Sequence, residues 1–145
     1  MIISHRHRFI FIHLHKCAGT SVTRALLPAL GDEDLVLGCT PEAEQSSQDN
    51  RARGELYKHS TAAEIRAALG EPLWQSYLKF AIVRNPWDLI LSKYFWWHKT
   101  SADWDDRAAA GKQEVMGMTF PEFALRLRGR HAYCRWLDIT DAPGE

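Results

Sequence analysis

The sequence predicts an α/β protein with a central parallel sheet. Two strand-like runs, residues 9–14 and 77–84, each lead directly into a stretch with helical periodicity. The first run, FIFIHL, is almost continuously apolar, which is typical of a strand covered on both faces of a parallel sheet. Strands that alternate with helices favour a layered α/β architecture. A chain of 145 residues, 46% of them hydrophobic, is expected to form one domain with a buried core over residues 1–145.

The segments between the two strand-like runs are predicted from their turn and cap residues. Apolar residues at helical spacing predict a helix over residues 20–30, which Gly31 ends. Residues 32–54 are polar and rich in turn formers, and they read as a long loop. Residues 55–60 are expected to form a short strand. Thr61 and Glu64 have the spacing of a capping box, so a helix follows them.

Proline and cap residues mark the remaining helices. Pro72 suits the first turn of a short helix that reaches Tyr77, and Pro86 suits the first turn of a longer one. The motif TFPE at residues 119–122 predicts another cap and a helix to about residue 127. Residues 101–117 are charged and rich in alanine, and they are expected to form either a helix or a lid.

Composition narrows the functional class. The 18 basic and 18 acidic residues balance, which argues against a general nucleic-acid binder. Three widely spaced cysteines without a CxxC pair form neither a disulfide framework nor a zinc motif, and they favour a reducing compartment. The N-terminus is too polar for a signal peptide, and no run of about 18 apolar residues exists. We therefore expect a cytoplasmic protein without a membrane span.

The first strand–helix junction has the residues of an anion site. Unpaired backbone N–H groups and the positive end of the helix dipole meet where a helix begins, so phosphate or sulfate binds well there. Lys16 adds a positive charge, Gly19 allows close approach of the backbone, and Thr20 and Ser21 add hydroxyl donors. The alternative is that Lys16 is a solvated surface lysine and Thr20 only a helix cap.

This junction differs from the common nucleoside-triphosphate loop. That loop has the pattern GxxxxGK[ST], in which the lysine follows the last glycine. Here Lys16 precedes Gly19 by three residues. A small P-loop kinase, which would also need magnesium ligands, is therefore a less favoured alternative.

The second strand–helix junction, FAIVRNPWDLILSKYFW at residues 80–97, also joins an apolar strand to a helix. Arg84 lies where the strand ends, and Ser92 lies about two helical turns after Pro86. Arginine can bind a phosphate through two parallel hydrogen bonds. Ligands of parallel sheets bind beyond the carboxyl ends of the strands, so both junctions would face the same edge. Two anion sites indicate a ligand with two phosphate-like groups, unless Arg84 instead pairs with a carboxylate such as Asp88.

These motifs resemble those of the sulfotransferases. HLHKCAGTS, at residues 13–21, looks like their 5′-phosphosulfate loop, and IVRNPWDLILSKY, at residues 82–94, looks like their 3′-phosphate motif. The residues of these two motifs are most similar to those of the carbohydrate-type, membrane-family and bacterial branches. The resemblance spans residues 9 to about 94 and includes KHSTAAEIRAALG. Two positions depart from the family pattern: His15 replaces a usual proline, and Leu89 replaces a frequent arginine.

The resemblance implies a fold, a co-substrate and a set of site residues. The fold would be a P-loop-like three-layer α/β/α sandwich, and the co-substrate would be 3′-phosphoadenosine 5′-phosphosulfate. Arg84 and Ser92 would hold the 3′-phosphate. Lys16 would be catalytic and would stabilise charge on the leaving phosphate. The residues that would surround the phosphosulfate are Lys16, Cys17, Ala18, Gly19, Thr20 and Ser21. Relatives generally continue with a segment that closes over the nucleotide, so a short or C-terminally truncated domain is expected.

The catalytic base is predicted to be His59. It follows the expected short strand, where carbohydrate-branch relatives can carry a base, and histidine is the commonest residue in that role. A carboxylate from residues 32–55 is the rival. The run HRHRFIFIHLHKC contains two HxH pairs, but His5 and His7 are expected in a terminal tail and no second cluster has metal spacing. We therefore expect no metal.

The implied activity is sulfuryl transfer to a hydroxyl or amine acceptor, either a small molecule or a carbohydrate. Besides the kinase, the alternative is a non-catalytic module that binds sulfonucleotides. No nucleic-acid partner is expected.

Overall fold

The computed structural model describes residues 1–99 and 112–127. The chain divides into two compact units. The first contains residues 1–83, and the second contains the described residues from Arg84 onwards, 84–99 and 112–127. The prediction of one domain over the whole chain stays a prediction.

The first unit is built on a four-stranded mixed sheet with the order β3–β1–β2–β4. The strands are β1 (Ile2–Ser4), β2 (Phe9–Ile12), β3 (Leu35–Val36) and β4 (Leu78–Ala81). β1 pairs antiparallel with both β2 and β3, whereas β2 and β4 are parallel. The α/β class is confirmed, but the sheet is mixed rather than the central parallel sheet that the sequence predicted, and only the β2–β4 pair is parallel among the described strands.

A tight hairpin explains this difference. β1 returns into β2 through a turn at residues 5–8, and strands joined by so short a connection can only be antiparallel. His5 and His7 lie in this turn rather than in the predicted terminal tail. The three-layer arrangement implied by the resemblance stays a prediction.

Helices of the first unit connect these strands. They are α1 (Gly19–Leu26), followed by a 3₁₀ turn at Leu27–Ala29, then α2 (Pro41–Arg53), α3 (Ala62–Leu69) and α4 (Glu71–Ser76). Helix α2 occupies the segment predicted as a long loop. The predicted strand at residues 55–60 is also wrong, because these residues form a turn in which Ser60 Oγ accepts the Tyr57 amide at 2.9 Å.

The core of the first unit centres on β1 and β2. All of β1 and the last three residues of β2 are buried, and Ile65 of α3 is buried as well. Thr61 and Glu64 form the predicted capping box at the start of α3. The fully buried hydrophobic residues in this unit include Ile2, Ile3, Ile10, Phe11, Leu37 and Ile65.

The second unit contains α5 (Pro86–Lys99) and α6 (Phe120–Arg126), with a helical turn at residues 112–116. Tyr94 of α5 packs against Phe123 of α6, and its hydroxyl donates to the Met118 carbonyl at 3.0 Å. Thr119 and Glu122 form the predicted capping box. Most of the segment predicted as a helix or lid, residues 101–111, lies outside the described residues.

Candidate functional site

The loop between β2 and α1 has an unusual backbone. Lys16 has a φ of 61° and Ala18 a φ of 58°, both left-handed, whereas φ of the intervening Cys17 is negative. Residues with side chains rarely adopt positive φ. Left-handed residues that alternate with residues of negative φ occur in turns whose successive N–H groups form anion-binding concavities. The loop predicted as an anion site therefore has a backbone suited to that task.

The N-terminus of α1 adds to this character. The cap residue is Ala18, whose side chain makes no cap hydrogen bond, and the first turn carries no acidic residue. Thr20 and Ser21 are exposed in that turn, while Cys17 is buried. First-turn amides that lack a side-chain cap attract a negatively charged ligand.

Gly19 is required for a reason that the sequence did not predict. A Cβ placed on Gly19 would overlap the imidazole ring of His13, with the ring carbon Cε1 2.7 Å away and two other ring atoms closer still. His13 is 5% exposed, and its ring stacks on Phe11 with 5.8 Å between ring centroids. The start of α1 is therefore packed against the end of β2, and a glycine makes room for the ring.

His59 lies against the same loop. Its Nδ1 is 2.8 Å from the His13 carbonyl oxygen, and its ring stacks on that of His15 with centroids 3.6 Å apart. A carbonyl only accepts hydrogen bonds, so Nδ1 carries the proton and Nε2 carries the lone pair. Burial, followed by the charge of His15, lowers the pKa of His59 to about 2. His59 is therefore neutral near pH 7, and the lone pair on its Nε2 can accept a hydrogen bond or a proton.

A charged pair lies next to this histidine. Lys58 forms an ion pair with Glu44, which also accepts the Cys39 amide at 3.1 Å. Burial raises the pKa of Glu44, but these hydrogen bonds outweigh burial and the pKa is lowered. Glu44 lies in the segment that offered the rival base, and a carboxylate held ionised in this way is a weak proton acceptor.

The turn between β3 and α2 touches the anion loop as well. Gly38 and Cys39 both have left-handed backbones, with φ of 94° and 89°. The thiol of Cys39 donates to the Thr20 carbonyl at 3.1 Å. His13, His15, Lys58 and Cys39 thus lie around the candidate site. His13 and His15 belong to the motif HLHKCAGTS, whereas no local sequence pattern linked Lys58 and Cys39 to the site.

The structure brings together the loop residues 16–21 and His59, all in the first unit. Arg84 and Ser92 belong to the second unit, so their part in a common site stays a prediction. Arg84 is exposed and precedes Asn85, whose side chain caps α5 by accepting the Trp87 amide at 3.0 Å.

Two searches within the described parts of the chain bear on the kind of site. Over residues 1–99 and 112–127, no three or more histidine, cysteine or acidic side chains are arranged to hold a metal ion. In the same ranges no helix has the length and apolar character needed to cross a membrane.

These features define an α/β protein with a candidate anion site at a strand–helix junction and a neutral histidine beside it. The chain belongs to the sulfotransferase family, since the model of that family matches residues 1–142. No curated protein and no solved structure matches the chain. Membership confirms the resemblance and places the protein among the transferases, in a family that generally uses 3′-phosphoadenosine 5′-phosphosulfate.

Proposed function

We propose that this protein transfers a sulfuryl group from 3′-phosphoadenosine 5′-phosphosulfate to a hydroxyl or amine, with carbohydrates as the favoured acceptors. The observation that carries the proposal is the contact between the anion loop and His59. Through the ring stack of His15 on His59, the residues suited to hold the donor lie beside a residue suited to activate the acceptor.

Lys16 and the loop hold the phosphosulfate in this proposal. The amides of residues 17–21 face the donor, while the Lys16 ammonium neutralises charge that develops on the leaving phosphate. The hydroxyls of Thr20 and Ser21 are exposed and can donate to the same oxygens. Fixed donors of this kind stabilise a transition state without reorganising.

His59 removes the proton of the acceptor. Its Nε2 takes the proton while the acceptor oxygen or nitrogen forms a bond to sulfur and the bond between sulfur and the phosphate oxygen breaks. The products are the sulfated acceptor and adenosine 3′,5′-bisphosphate. A base with a pKa of about 2 accepts protons poorly, but an anionic donor bound at the loop raises that pKa.

Arg84 and Ser92 bind the 3′-phosphate in this proposal. Support comes from the first unit, where β2 and β4 are parallel neighbours and Ile12 pairs with Ala81. The chain therefore leaves both strands at the same edge of the sheet. Arg84 follows Ala81 by three residues, and three residues span at most about 10 Å.

Nucleotide binding and turnover test the proposal separately. Adenosine 3′,5′-bisphosphate should raise the melting temperature of the protein, whereas ATP with magnesium should not, because a ligand of the folded state stabilises it. Lys16→Ala should abolish transfer of labelled sulfate. Arg6→Ala is the matched control, since Arg6 is exposed in the hairpin turn at the other end of β2.

Each other outcome identifies an alternative. Stabilisation by ATP alone would favour a small kinase. Binding of the bisphosphate without turnover on any acceptor would favour a non-catalytic sulfonucleotide-binding module. An unchanged rate in Lys16→Ala would remove the role given to that lysine.

A further inference from the structure

His59 is held by three contacts from the loop that precedes α1. Its Nδ1–H donates to the His13 carbonyl, and its ring meets the edge of the His13 ring at 4.8 Å and 66°. The third contact is the His15 ring, stacked at 3.6 Å with only 27° between the planes. The hydrogen bond fixes one nitrogen but allows the ring to rotate about it. The stack restricts that rotation.

We infer that His15 is a positioning residue that holds the imidazole of His59 in the orientation needed for proton transfer. The inference rests on the proposed function, in which His59 is the base. His15 itself is exposed and directly precedes Lys16, whose left-handed backbone shapes the anion loop. An anion that orders this loop would therefore also order the His15 ring, against which the His59 ring stacks.

His15 also affects His59 through its charge. The groups that face His59 are the rings of His13 and His15 and the ammonium of Lys58, which Glu44 partly neutralises. Burial is the main cause of the low pKa of His59, and the charge of His15 is the next. A phenylalanine at position 15 keeps the stack and removes the charge, whereas an alanine removes both.

The first test uses NMR and needs no sulfate donor. The His59 ring signals, assigned by their loss in His59→Asn, should show the Nδ1–H tautomer in the wild-type protein and in His15→Phe. His15→Ala should keep this tautomer, which the His13 carbonyl fixes, but should lose the nuclear Overhauser contacts between the His59 and His13 rings, because rotation of the His59 ring is no longer restricted. Unchanged ring-to-ring contacts in His15→Ala would overturn the inference, even if the wild-type protein transfers sulfate.

The second test uses turnover. His15→Ala should lower kcat by about tenfold with the KM for the donor within about twofold, since an aromatic pair of this kind contributes on the order of a tenfold effect. His15→Phe should restore kcat to within about twofold. In both variants the acidic limb of kcat should move to higher pH by about one unit, the size expected for two charges about 4 Å apart in water.

The two tests distinguish the inference from the function on which it rests. A change in KM alone, or an unmoved pH limb, would overturn the role of His15. A wild-type protein that neither binds the bisphosphate nor transfers sulfate would instead refute the proposed function, and the NMR result would still decide how His59 is held.

Discussion

Replacing Gly19 by alanine should destabilise the first unit. The new methyl group would overlap the His13 ring, which cannot move aside easily because it is buried and stacked on Phe11. Overpacking in such a site costs about 1–3 kcal/mol. For a chain of this size that corresponds to a fall in melting temperature of about 2–4 °C for each kcal/mol. Urea unfolding followed by circular dichroism measures the difference.

A double-mutant cycle tests whether the overlap is the cause. In the Gly19→Ala, His13→Ala protein the ring is gone, so the double variant should be more stable than the sum of the single effects by about 1–3 kcal/mol. Gly117→Ala is the matched control, because nothing lies within 4 Å of the added Cβ and its φ is not left-handed. Additive single effects, or an equal loss in the control, would refute the packing argument.

Three further predictions concern capping, pH and nucleotide binding. Thr61→Ala should cost about 1 kcal/mol in urea unfolding because it removes the capping box, and Thr61→Ser should restore it. Burial lowers the pKa of His13 to about 3 in the folded state, so its contribution to stability is complete above about pH 6.5 and is lost as the pH falls toward 3. Between pH 7.5 and 5 the wild-type protein should therefore lose about 2 kcal/mol more than His13→Phe, and equal losses would contradict this pKa. Arg84→Ala should weaken bisphosphate binding by about tenfold in calorimetry, whereas Arg6→Ala should not, because only the former removes a charge-assisted hydrogen bond in the proposed site.

Strong local signals predicted their elements correctly. The cap residues of α3 and α6 and the prolines of α4 and α5 fixed where those helices begin. The apolar run of β2 and the glycine-containing junction after it predicted the strand, the loop and α1. These signals succeed because they depend on neighbours within one helical turn or one strand.

Helix α2 shows why other elements were missed. Its residues are polar on all sides, so no apolar stripe marks it as a helix. The ends carry the information instead: Thr40 accepts the Ala43 amide, Pro41 occupies the first turn, and Gly54 adopts a left-handed backbone after the last. The sequence signals that predict this helix are therefore TPE at residues 40–42 and Gly54.

The contacts around His59 could not be predicted from local patterns. Its partners, His13 and His15, are far away in sequence and come close only because the turn at residues 57–60 lies against the end of β2. The residue types along the chain therefore predict the anion loop, whereas the arrangement that makes His59 neutral and fixes its tautomer depends on tertiary structure.

The position of β2 between β1 and β4 has a consequence for motion at the site. Its amides and carbonyls are paired on both sides, so its hydrogens should exchange with solvent among the slowest in the protein. Helix α1 has only eight residues and should open far more often. Amide hydrogen exchange should therefore be slow at the β2 end of the anion loop and fast at its α1 end. A bound anion would slow this exchange chiefly at the α1 end.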